Sequence, residues 1–156
     1  MKLVVNASPI IFLSKIELID YLPEMVGQLV IPRAVIYEIE RYKDEASRWI
    51  KHNKKQFAAN AGKIPSSISA WDLGPGETEV IAYAAKFNNF TVALDDKAAR
   101  NCAQSLQIPV IGTIGLVISA KRSRIINDAK PYLLKLKNTG YRIDDQLFNY
   151  ALKLAD

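Results

Sequence analysis

Apolar residues in this chain come in short runs separated by longer amphipathic stretches. Lys2–Asn6, Gln28–Ile31, Phe90–Leu94 and Ile108–Ile111 are brief runs rich in aliphatic and β-branched residues, and they read as strands. Between them the apolar positions recur at helical spacing. Ser8-Pro9 caps and starts a helix that carries Ile10, Ile11, Leu13, Ile16 and Leu18, and a further turn over Leu18–Leu22 is broken by Pro23. Pro32 suits the first turn of a helix over Arg33–Tyr42, and the helical pattern resumes over Asp44–Phe57. A loop is expected near Gly62–Ser69. Gly74-Pro75-Gly76 opens a helix over Glu77–Phe87, which Asn88-Asn89 turns into the next strand. Lys97–Leu106, Gly115–Arg122, Asp128–Lys137 and Asp144–Leu154 complete the helices; Gly112-Thr113 is a small-residue loop and Gly140–Arg142 a connector. Strands alternating with helices predict an α/β protein with a parallel sheet covered on both faces.

The length, 156 residues, matches one domain over 1–156, with no internal repeat and no linker to divide it. A hydrophobic fraction of 49% beside 24% charged residues excludes a disordered or fibrous chain. The single cysteine, Cys102, cannot form an internal disulfide, and the single histidine, His52, cannot build a His-rich metal site. Zinc-finger and Cys/His protease chemistries fit poorly, and one cysteine suits a reducing cytoplasm. No apolar run approaches the ~18 to 20 residues that cross a bilayer. The opening Met1–Ile16 segment, interrupted by Asn6, Ser8 and Pro9, reads as strand and helix rather than a signal peptide. A net charge of +5 is a mild bias toward polyanions, concentrated between Arg41 and Lys63 and again between Lys121 and Lys137. A solvated helical face explains such runs equally well.

Candidate chemistry gathers at the predicted carboxyl ends of the strands, where ligands bind in open α/β sheets. Asn6 ends the first strand with Ser8 just beyond, Asp95 and Asp96 end the strand from Phe90, and Thr113 follows Ile108–Ile111. Glu38, on the helix after Pro32, and Glu77, where a glycine turn enters its helix, can face the same crevice. Clustered carboxylates repel, and oxygen-rich sets of this kind suit Mg²⁺ or Mn²⁺. Each residue also has an ordinary structural use. Glu38 can pair with Arg41 or Tyr42 on the helix surface, Glu77 can complement a helix dipole, and Ser8 or Asp96 can be an N-cap. Lys97 and Arg100 can neutralise Asp96 or contact a phosphate. Trp49 and Trp71 read as packing residues, and His52 as a surface residue.

The segments VVNASPIIFLSKI, VIPRAVIYEI, DLGPGETEVIAYAAKFNNFTVALDDKAARNCAQSL and IPVIGTIGLVISAKR together resemble the PIN domain. That nuclease fold is shared by VapC-type toxins of toxin–antitoxin pairs and by RNA-processing enzymes. The likeness is closest to a compact prokaryotic branch in which GE-x-E-x-I-x-x-A precedes a strand ending in DD-x-x-AR, followed by G-T-x-G-L. It implies a three-layer α/β/α PIN-like fold with a central, mainly parallel sheet of four or five strands. It also implies a metal-dependent endoribonuclease holding Mg²⁺ or Mn²⁺, acting as a toxin in the cytoplasm, with RNA as substrate, a cognate antitoxin and a homodimer.

Position by position, the resemblance gives Glu38, Glu77 and Asp95 as principal ligands and catalytic acids, with Asp96, Asn6 and Ser8 supporting the metal. Glu79 is the rival to Glu77, but Glu77 has the better spacing to Asp95. Lys97, Arg100 and Thr113 are the expected substrate contacts. The departure is Asn6, an amide where these domains usually carry their first acid. It can coordinate an ion but brings no charge, which weakens binding and leaves a non-catalytic binding module as the competing expectation.

Overall fold

The computed structural model describes residues 1–155. Strands β1 (Lys2–Val5), β2 (Gln28–Pro32), β3 (Ala58–Ala59), β4 (Phe90–Ala93) and β5 (Val110–Ile111) form one sheet in the order β3-β2-β1-β4-β5. Every neighbouring pair is parallel. Strands buried on both faces should be continuously apolar, and Leu3, Val4, Val5, Val92, Ala93 and Leu94 are fully buried.

Among the described residues, ten helices cover the sheet. On the way from β1 to β3 lie α1 (Ala7–Lys15), a 3-10 turn (Ile19–Tyr21), α2 (Leu22–Met25), α3 (Arg33–Glu40) and α4 (Glu45–Phe57). Between β3 and β5 lie α5 (Ser66–Ser69), α6 (Pro75–Lys86) and α7 (Lys97–Ser105); α8 (Thr113–Arg122), α9 (Lys130–Asn138) and α10 (Asp145–Ala155) follow. Right-handed crossovers put the first group on one face and the second on the other. The packing agrees: α1 lies against α4 and α8, while α6 lies against α5 and α7. The result is a three-layer α/β/α fold. Helix α3 touches both groups, meeting α1 and α4 on one side and α6 on the other.

Local chemistry accounts for the element boundaries. Asp44 caps α4 by accepting from the Ser47 N–H, and the Ser47 hydroxyl accepts from the Asp44 N–H in return, both at 2.9 Å. The same helix buries Ala46, Trp49, Ile50 and Phe57, leaving Lys51 and Lys55 in solvent. Its basic run is a helical face, as the charge pattern allowed. Four details differ from expectation. β3 is two alanines too short to leave an alternating pattern, and it pairs through Ile31↔Ala58 and Pro32↔Ala59. The expected Gly62–Ser69 loop contains α5, anchored by buried Ile68. Helix α8 begins at Thr113 rather than Gly115, because Gly112 takes the N-cap position. Trp49 is buried as expected, but Trp71 is 40% exposed. Among the described residues no helix is long and apolar enough to cross a membrane.

Candidate active site at the sheet switch point

Strand order reverses between β1 and β4, so the crevice past their carboxyl ends is where the connections diverge. Register fixes what lines it. Val5 pairs with Ala93 and Ala93 with Ile111, so Asn6, Asp95 and Thr113 all lie within two residues of one row across three strands. The Asn6 N–H continues that ladder to the Ala93 carbonyl at 3.2 Å.

Asp95 is held by four protein donors. Its Oδ1 accepts from the Thr113 N–H at 2.9 Å and the Tyr141 hydroxyl at 2.8 Å. Its Oδ2 accepts from the Ser8 hydroxyl at 2.9 Å and the Thr113 hydroxyl at 2.6 Å. A carboxylate has about four lone-pair positions, so the set is full. Thr113 is completely buried and directs both of its donors at Asp95, so it acts on that side chain rather than on solvent. Burial, then the Asp95 charge and hydrogen bond, raise the Tyr141 phenol above its ordinary 10 and keep it a donor. Arg100 donates to the Leu94 carbonyl at 3.0 Å, and its guanidinium lies against Gly112, where a Cβ would come within 2.8 Å. Asp95, Arg100 and Tyr141 share a cleft of about 440 Å³ bordered by α8 and α10.

Asn6, Ser8, Glu38 and Glu77 line a different, larger cleft of about 590 Å³ between the end of β1, α3 and the start of α6. Gly76 makes the close approach possible. A Cβ there would lie 3.0 Å from Asn6 Oδ1 and 3.1 Å from Glu38 Oε2, tighter than ordinary contact, so the glycine lets α6 come close to both. Asn6 is 5% exposed and its Oδ1 has no hydrogen-bond partner, whereas buried polar atoms almost always have one. Glu77 accepts from the Gly74 N–H at 3.2 Å through Oε2. Burial first, then the charge of Asp96, raises its pKa; the Gly74 bond opposes this and the Glu38 charge adds to it.

The raised Glu77 value has a measurable consequence. Its proton binds more tightly in the folded chain than in the unfolded one, whose ordinary value is 4.5. Ionised Glu77 therefore subtracts from stability at neutral pH, and protonation on acidification restores it. Glu77→Gln should raise the metal-free melting temperature at pH 7, with the gain closing as the pH falls to about 4.5 and below. Parallel melts of both proteins across that range check it; a gain that persists at pH 4 contradicts the cause.

The other acids have clear positions. Asp96 caps α7 by accepting from the Ala99 N–H at 3.0 Å, and its exposed charge still reaches Glu77. Glu79 accepts from the Ala34 N–H at 3.2 Å and so caps α3 from the neighbouring helix, which leaves Glu77 as the cleft's acid. Lys97 is exposed in the first turn of α7. Arg33 and Tyr37, which the pattern did not single out, also line the larger cleft, together with Arg41 and Tyr42. Exposed helix positions leave no periodic signal; only the placement of Glu38 on α3 pointed toward them.

Among the described residues no three Asp, Glu, His or Cys side chains stand together as a metal-binding group. The larger cleft nevertheless fits a hard divalent cation: an unpartnered buried amide oxygen and one carboxylate face the same small space at Gly76, and a second carboxylate is destabilised by burial and by its neighbours' charge. Mg²⁺ commonly takes one or two carboxylates and keeps several waters, so this donor set is sufficient in kind.

A family model described as a PIN domain matches residues 2–156. The chain belongs to the PIN domain family. PIN domains are typically nucleases and usually use divalent metals. No curated protein and no solved structure gives a significant match to the chain.

Proposed function

We propose that this PIN domain is an endoribonuclease that hydrolyses RNA phosphodiester bonds with one Mg²⁺ or Mn²⁺ ion. The observation that carries it is the buried, orphaned Asn6 Oδ1, which faces the same small space at Gly76 as Glu38 Oε2. Asn6, Glu38 and Glu77 would hold the ion, with Asp96 adding negative charge and Ser8 and Asp95 fixing the β1–α1 turn behind them. The ion, when bound, supplies Lewis acidity toward the phosphodiester and its attacking water. Glu77 Oε1, the oxygen that Gly74 does not engage, would be the atom that Glu77 offers to the ion. Lys97 at the start of α7 contacts phosphate, and Arg100 and Thr113 keep the β4 and β5 ends in place.

The same reading makes the chain the toxin of a toxin–antitoxin pair in the cytoplasm, acting as a homodimer, with the antitoxin obstructing the cleft. Incubation with single-stranded and structured RNA tests the chemistry: cleavage should need Mg²⁺ or Mn²⁺ and stop in chelator. Cleavage that survives chelation overturns it.

Asn6 favours a second reading, a PIN-like module that binds nucleic acid or protein with little or no catalysis. A neutral ligand in place of an anionic one weakens ion binding, since ligand charge helps set affinity. Asn6→Asp should tighten Mn²⁺ binding by about tenfold, read by calorimetry, and raise any cleavage in proportion. No heat from either protein supports the module.

A further inference from the structure

Past the carboxyl end of β5, the cleft of about 440 Å³ runs between α8 and α10. Its walls are apolar. Ile111 closes the strand end, and Ile114 and Ile118 lie at i and i+4 on α8. Leu147, Tyr150 and Leu154 form a stripe at i, i+3 and i+7 on α10, open to solvent at 42%, 59% and 37%. Phe148, Ala151 and Ala155 already pack that helix onto the fold, so the exposed stripe is not needed to hold it there. Gly115 lets Ile111 lie against α8, where a Cβ would come within 2.7 Å.

One end of this trough is cationic. Arg100, half-buried, gives one N–H to the Leu94 carbonyl at 3.0 Å, and none of its other donors meets an acceptor among the described residues. Arg142, in the connector before α10, is exposed, and neither arginine has an ion-pair partner among the described residues. Asp95 is the one acid lining the cleft, and its oxygens are filled by Ser8, Thr113 and Tyr141. Two guanidinium charges against one carboxylate leave a single positive charge to be met. A monoanion meets it, whereas a phosphate monoester brings nearly two charges at neutral pH. A carboxylate also matches the planar guanidinium fork. The volume lies within the roughly 300–1,000 Å³ of small-molecule sites, which are likewise apolar with a few convergent polar groups.

We propose that this cleft binds an amphipathic monocarboxylate, its head on Arg100 and Arg142 and its apolar body between α8 and α10. The site is separate from the acidic cleft, and its occupancy does not depend on the nuclease reading. Calorimetry in chelator, with octanoate as the probe, tests it.

Octanoate should bind with a Kd of roughly 1 mM or tighter, as a ligand of this size allows. Octanol and octylammonium, which keep the chain and change the head, should bind at least tenfold more weakly, and acetate should give no heat. Arg100→Gln should weaken octanoate about tenfold. Arg142→Gln, at an exposed position with no partner to lose, should weaken it severalfold without moving the melting temperature. Leu147→Ser should weaken octanoate and leave the preference over octanol intact. No heat from octanoate at millimolar concentration, equal binding of octanol, or indifference to both arginine substitutions overturns the proposal. A dimer seen by light scattering and split by Tyr150→Glu would make a second copy the occupant, and overturns it too.

Discussion

Glu38→Gln should lower RNA cleavage by a factor on the order of 10² to 10³ while leaving the fold intact. Glu38 supplies one of the two carboxylates in the larger cleft, and its Oε2 faces the same small space at Gly76 as Asn6 Oδ1. The amide that replaces it has the same shape and is already solvent-exposed, so packing of Val35, Ile36 and Ile39 beneath is undisturbed. What changes is charge. The ion would be left with two neutral oxygens and Glu77 alone, and Glu77 would itself lose a repulsive neighbour that helps raise its pKa. The melting temperature without metal should therefore stay level or rise slightly as Mn²⁺ affinity falls. Calorimetry with Mn²⁺ beside a cleavage time course reads both effects. Wild-type cleavage by Glu38→Gln at saturating Mn²⁺ would remove Glu38 from the chemistry.

The sequence displays this site unevenly, for physical reasons. A central parallel strand must be apolar on both faces, so β1, β2 and β4 stand out as uninterrupted runs, and the acids at their ends stand out by contrast. Asp96 before a helical run is legible as a cap because capping is local, whereas the pattern drew Asp44 into the helix that it caps. Glu77 and Glu79 could not be separated so surely, since the difference depends on α3 lying beside α6 and offering the Ala34 N–H to one of them. Tyr141 left no trace at all. It reaches Asp95 from 46 residues away, out of the connector between α9 and α10, and no periodicity marks such a contact. The orphaned oxygen of Asn6 is likewise a property of packing: a sequence shows an amide, not whether anything donates to it.

This division separates two roles that spacing alone had merged. The carboxylates of the larger cleft crowd one another, and one is held in a costly ionised state, the arrangement expected where function opposes stability. Asp95 is the opposite case. Its charge is met by four donors drawn from α1, α8 and the α9–α10 connector, so it ties the β4 end to three other parts of the chain.

Asp95→Ala should consequently destabilise the protein by about 3–5 kcal/mol, one of the larger effects available to a single substitution. Truncation leaves the Ser8, Thr113 and Tyr141 hydroxyls and the Thr113 N–H without their acceptor. A buried group left unsatisfied costs about 1–3 kcal/mol, moderated here because hydroxyls rotate and water can enter from the 440 Å³ cleft. For a chain of this size the melting temperature should fall by on the order of 10 °C. Asp95→Asn should cost far less. Its oxygen can keep the Thr113 N–H and Tyr141 donors, while its amide donates to the Ser8 and Thr113 hydroxyls, which can turn to accept. Thermal melts of both variants, each with and without Mn²⁺, distinguish the roles. A wild-type melt for Asp95→Ala contradicts the structural assignment. A normal melt for Asp95→Asn with Mn²⁺ binding lost would make Asp95 a ligand as well, through an oxygen that one of its four donors must release.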